Sequence, residues 1–189
     1  MFHANTQRLL DYWSARATSG RAPARAAIDP GDFRELVPQS LILGRTGRGG
    51  YPVRLAGGFV SSLHARDLVG ADGLGLWSQR DRPRLQTALE TARRAASPVV
   101  IMAEALTDGP TLSMEILLAP LAAGEGGLER FLGLYQPLAM VSRLQGLAVR
   151  ELSARTIRRP GATDEEMPIL RLAALHGRTL PEARLGLTA

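Results

Sequence analysis

The chain has 189 residues, enough for one ordinary domain with flanking elements and too few for two comfortable ones. It is 45% hydrophobic, yet no apolar run approaches the roughly 18 residues that a membrane span needs. Cysteine is absent, which excludes disulfides, thiolate metal sites, cysteine nucleophiles and iron–sulfur clusters; the net charge of +5 rests on arginine alone, and the missing lysine removes Schiff-base and P-loop chemistry.

Asn5 or Thr6 is a suitable cap for a first helix running to about Ala17, with Leu9, Leu10, Trp13 and Ala17 on one face. Around Phe2 to Trp13 polar residues interrupt the apolar ones, so no export signal is read there and a soluble cytoplasmic protein is expected. Asp29-Pro30 starts a second, short helix: aspartate accepts N–H bonds at a cap, and proline suits the first turn. That helix carries Phe33, Leu36 and Val37 inward and stops near Pro38. Two strands follow, about Ser40 to Arg45 and Tyr51 to Ala56, joined through Thr46-Gly-Arg-Gly-Gly50 as a hairpin. Alternation puts Tyr51, Val53 and Leu55 on one side, and Pro52 marks the second strand as an edge or its first residue.

Short helices and glycines fill Gly57 to Trp77, and Ser78 opens the longest helix, to about Ala96, with Leu85, Ala88, Leu89, Ala92 and Ala96 buried. Three more strands are expected at Val99 to Leu106, around Leu112 to Leu118, and at Arg130 to Leu138. Ser142 to Thr156 reads as a helix with Leu144, Leu147 and Leu152 on its apolar side. Beyond it lies a tail rich in Gly, Pro, Arg and Ala, whose one apolar piece is Met167 to Leu175, expected to be mobile or docked on a partner. The order predicts an α+β fold: a five-stranded antiparallel sheet with helices packed on one face, plus an N-terminal helix and a C-terminal tail. Three parts are expected: an N-terminal helical cap at 1–38, a central domain at 39–140, and a C-terminal helix with a flexible tail at 141–189.

The blocks Arg54-Leu-Ala-Gly57 and Arg66-Asp-Leu-Val-Gly70, with Trp13, Pro23, Arg25, Asp29, Pro30 and Trp77, resemble the PAS sensory domains, in the single-domain subgroup typical of alphaproteobacteria. The resemblance covers about residues 5 to 140 and carries the same element order. It departs at four places: His64 and Ala65 stand where that subgroup usually has an aromatic residue and a glycine, Val69 replaces a threonine, and so does Gly58. The absent cysteine also excludes the cysteinyl–flavin photochemistry of the light-sensing branch.

The resemblance implies a bacterial signalling role: a small ligand held between sheet and helices, a protein partner, or both. The cavity would be lined by some of Leu55, Phe59, Leu63, Trp77, Met102, Met114, Ile116 and Tyr135. No cofactor is identified. His64 is the one histidine where a haem-binding relative places an axial ligand, but a lone histidine in a helical segment is more often simply packed. No histidine–carboxylate cluster has metal-ligand spacing, and no nucleophile stands with a base, so neither a metal site nor an enzyme is expected. Gly57 and Gly70 are read as scaffold, serving positive φ or close backbone approach. The expected partners are a signalling protein, or a second copy through the first helix, and no membrane. Two alternatives stand beside this: a ligand-free structural adaptor, and nucleic-acid binding, the weaker of the two, through Arg150, Arg155, Arg158 and Arg159.

Overall fold

The computed structural model describes residues 1–123 and 129–160 of the chain. Expectations for the C-terminal tail, Met167 to Leu175 among them, lie outside these residues. Helices α1, α2 and α3 span Ala4–Ser14, Gly58–His64 and Arg82–Arg94. The strands are β1 Ser40–Gly44, β2 Val53–Ala56, β3 Val99–Leu106, β4 Leu112–Leu121, β5 Arg130–Pro137 and β6 Glu151–Arg158. They form one antiparallel sheet in the order β2-β1-β5-β4-β3-β6. The fold is α+β, with a sixth strand added to the expected five.

The sheet is buried on both faces because its central strands put apolar side chains on each. Ile101, Ala103, Met114, Ile116, Phe131 and Tyr135 meet Leu63 of α2 and Leu85, Leu89 and Ala92 of α3. On the other face Ile42, Leu117, Leu132 and Leu134 meet Leu9, Leu10 and Trp13 of α1, together with Phe33 and Leu36. Those two come from a 3-10 helix at Pro30–Gln39, which Asp29 caps by accepting from the Gly31 N–H. The Trp13 indole N–H donates to the Pro120 carbonyl at 2.7 Å. The apolar stripe of α1 thus packs on its own sheet.

The strand β6 replaces the helix expected over 142–156. Gln145 at φ 53° and Gly146 at φ 79° turn the chain out of helical geometry after a short 3-10 turn, Val141–Leu144. The chain then pairs with the open edge of β3, where Leu152 and Ala154 reach the core opposite Ala105 and Ala103. Tertiary pairing outweighs the helical spacing of the leucines.

The two scaffold glycines act differently. Gly70 sits at φ +86°, and a Cβ on Gly57 would lie 2.3 Å from the carbonyl oxygens of Val37 and Pro38. One serves a left-handed backbone, the other a close approach of α2 to the preceding segment.

Candidate functional site

The side of the sheet under α2 and α3 is where the eight candidate lining residues were expected to converge. Six do. Leu63, Trp77, Met114, Ile116 and Tyr135 lie in one buried cluster, and Phe59 packs against it partly buried. Two do not. A β-bulge makes Arg54 an extra residue, because Ile42 pairs with Leu55 and Leu43 with Val53. The slip turns Leu55 away from the side of Tyr51 and Val53, and it ends 46% exposed. Met102 alternates with Ile101 and Ala103 and therefore faces the opposite side, in the row of Glu115 and Thr156.

The six that converge fill the space between them. Met114 and Ile116 are 0% exposed, Tyr135 2% and Trp77 4%. A void able to hold even water would leave its lining side chains some accessible surface. Among the described residues these side chains pack into one cluster.

His64 lies at the end of α2 inside this core, its ring edge-on to Tyr135 with 6.2 Å between centroids. Its Nδ1 stands 3.2 Å from the Val149 carbonyl, which only accepts, so Nδ1 carries the proton. Nε2 is then a buried acceptor with no partner among the described residues. Burial, helped by nearby Arg66, pulls the imidazole pKa down despite the bond to Val149. A neutral, tethered ring of this kind ties α2 to the chain before β6, and the Val149 N–H returns a bond to the Leu63 carbonyl at 2.8 Å.

Two polar centres went unseen in the sequence. Asp81 is 3% exposed and its Oδ2 accepts from the Ser78 hydroxyl at 2.6 Å and from the Ala154 N–H at 2.9 Å, joining the start of α3 to β6. Ser78 was legible only as the residue that opens the long helix. Glu90 of α3 accepts from Arg45 at 2.8 Å and from the Tyr51 hydroxyl at 2.6 Å. The Arg45 guanidinium, chiefly, holds the Glu90 carboxyl down at about 2. Both centres are internal ties between elements. Of the arginines considered for nucleic acid, Arg150 donates twice to Asp108, at 2.7 and 3.0 Å, while Arg155 is the extra residue of a second bulge. No ion pair links Arg54, Arg66 and Asp67 among the described residues, and Asp67 instead accepts from the Val69 N–H. Those residues also hold no group of histidine and acidic side chains able to take a metal, and none of their helices is long and apolar enough to cross a membrane.

Outside the core lies a half-open cleft of about 140 Å³ between α2 and the 3-10 turn, lined by Phe59, Ser62, Leu63, Val141, Leu144 and Leu147. Leu138 and Met140, which precede the Val141–Leu144 turn in the chain, are exposed.

The family model described as "PAS domain" matches residues 1–136. No curated protein matches. Among solved structures, the chain is similar to the LOV domain of the blue-light photoreceptor Aureochrome1, at 12% identity and a TM-score of 0.44 over 59% of this chain and 84% of that one. It is also similar to the Rhodobacter sphaeroides LOV protein, at 14% identity and 0.44 over 62% and 74%. A third is the PAS domain from Bordetella pertussis BvgS, at 16% and 0.33 over 62% and 92%. At these identities and scores the structural matches say nothing of ligand or chemistry.

Proposed function

The chain belongs to the PAS domain family, whose members are generally sensory and signalling modules, and from that premise we propose that it signals by protein contact through a packed core rather than around a preformed ligand cavity. One observation carries this reading: Trp77, Met114, Ile116 and Tyr135 interlock with almost no accessible surface where a ligand would sit. In this reading the cap at 1–38 and the body at 39–140 form a rigid scaffold, and the extension at 141–189 meets the partner, an unidentified signalling protein. The exposed apolar residues between Leu138 and Leu147 support that assignment, since contiguous apolar surface marks interaction sites. No catalytic role is assigned to the chain.

Overfilling tests the proposal. Met114→Trp forces a larger ring into space that is already occupied, and overpacking costs about 1–3 kcal/mol. The urea midpoint is expected to fall accordingly, read beside the neighbouring Ile116→Val as a mild control. A tryptophan tolerated without loss would mean that the core holds room for a ligand, and the packed-core reading would be wrong.

A further inference from the structure

Arg54 is the extra residue of the β2 bulge, and its side chain runs over Gly44 of β1. A Cβ on Gly44 would stand 2.7 Å from the Arg54 Nε, 3.2 Å from its Cγ and 3.5 Å from its Cδ. Bulges re-aim side chains, and here a glycine leaves room for the re-aimed one. Gly44 pairs across the sheet with Arg130 of β5. Directly opposed residues of an antiparallel pair point to one face, their side chains about 5 Å apart at the base. That face is the one α1 packs on: Ile42 and Leu132, each two residues from the pair, lie in its apolar cluster, as does Leu121, the β4 partner of Arg130. Two arginine side chains therefore share one face of the sheet, one over a buried glycine and the other on the next strand.

The described residues supply no acid to them. Arg54 is exposed and Arg130 half-buried, and neither has a carboxylate within ion-pair distance among those residues, whereas Arg8, Arg16, Arg45, Arg93 and Arg150 all do. Glu129, next to Arg130 in the chain, is bound by Arg45 and Arg93 instead. Two cations on one face repel unless an anion joins them, and a guanidinium fork matches phosphate oxygens two at a time. A dianion answers both charges, where a single carboxylate answers one. We infer that Arg54 and Arg130 form a binding site for a phosphate dianion, free or carried as a monoester. Leu55, the other residue of the bulge opposite Ile42, is 46% exposed and offers an apolar contact to the organic part of a monoester. The site needs no cavity in the core, and an ion held on this surface is lost on exchange into a volatile buffer.

The test follows the arginine Nε–Hε signals of the full ¹⁵N-labelled chain while sodium phosphate is added at neutral pH, sodium chloride holding the ionic strength constant. Saturable shifts at Arg54 and Arg130 are expected, and Arg54→Gln and Arg130→Gln are each expected to weaken binding at least about tenfold. Arg94→Gln, at the exposed end of α3 on the opposite face, is expected to leave it unchanged. Gly44→Ala puts a methyl group where the Arg54 side chain lies and is expected to abolish the shifts at both arginines. The two arginine variants remove no core contact, so they decide the matter even if Gly44→Ala does not fold. Phenyl phosphate in place of the inorganic ion separates the sources: tighter binding that Leu55→Ser removes marks a monoester, and equal binding marks the free ion. Shifts that sodium chloride alone reproduces would overturn the inference. So would a double variant, Arg54→Gln with Arg130→Gln, that binds phosphate as tightly as the native chain.

Discussion

At the scale of single residues, the departures from the family pattern have physical consequences. Ala65, standing where the subgroup usually has glycine, caps α2 in the left-handed region at φ 49° and ψ 35°. For a residue with a Cβ that conformation costs on the order of 1 kcal/mol. Ala65→Gly is therefore expected to raise stability by up to about 1 kcal/mol despite the greater freedom of unfolded glycine, and chemical denaturation measures it. A fall in midpoint would mean that the alanine methyl group makes a contact that matters more than its strain. His64, at the aromatic position, leaves a pH signature. Its folded pKa is depressed by burial, so the unfolded chain binds the proton more readily. The stability it allows is complete above the unfolded value near 6.5 and is lost as pH falls below that toward the lower folded value. Urea midpoints at pH 7.5 and 5.5 are expected to differ more for the native sequence than for His64→Phe. An equal drop in both proteins would assign the slope to other groups. These residue-level facts were half legible. Gly57 and Gly70 announced their roles, but the bulge at Arg54 has no sequence signature, and it alone decides which way Leu55 points.

At the scale of elements, strands with strict alternation were readable and those without it were not. Leu112, Met114, Ile116 and Leu118 alternate against polar neighbours and gave β4 directly, whereas the nearly continuous apolar run of β3 hid the fact that Met102 faces away. β6 was misread because Leu144, Leu147 and Leu152 can be placed on one side of a helix. What makes it a strand is its partner, the otherwise bare edge of β3, and a buried carboxylate that holds it there. Asp81→Ala removes the acceptor of the Ser78 hydroxyl and the Ala154 N–H and leaves buried donors unpaired, at a cost of about 2–3 kcal/mol. Hydrogen exchange is expected to show the loss first in β6, with faster exchange at Ala154 than at β4 residues such as Ile116. Uniform acceleration across the sheet would mean that β6 is not separately held.

At the scale of the molecule, one segment between α2 and α3 closes both ends of the sheet. Gly70 and Gly73 donate to the Val53 and Tyr51 carbonyls along the outer side of β2, while Ser78 and Asp81 engage Leu152 and Ala154 along the outer side of β6. Covered edges do not recruit further strands, and in the proposed reading a partner meets the apolar surface beside α2 instead. In the proposed reading the same packing leaves the interior full. The most direct test of that account is a native mass spectrum of the freshly purified full chain, compared with its spectrum after denaturation. The polypeptide mass, alone or as a multiple of it, is the expected result in both. Additional mass present in the native spectrum and lost on denaturation would establish a retained small molecule and contradict the packed-core account.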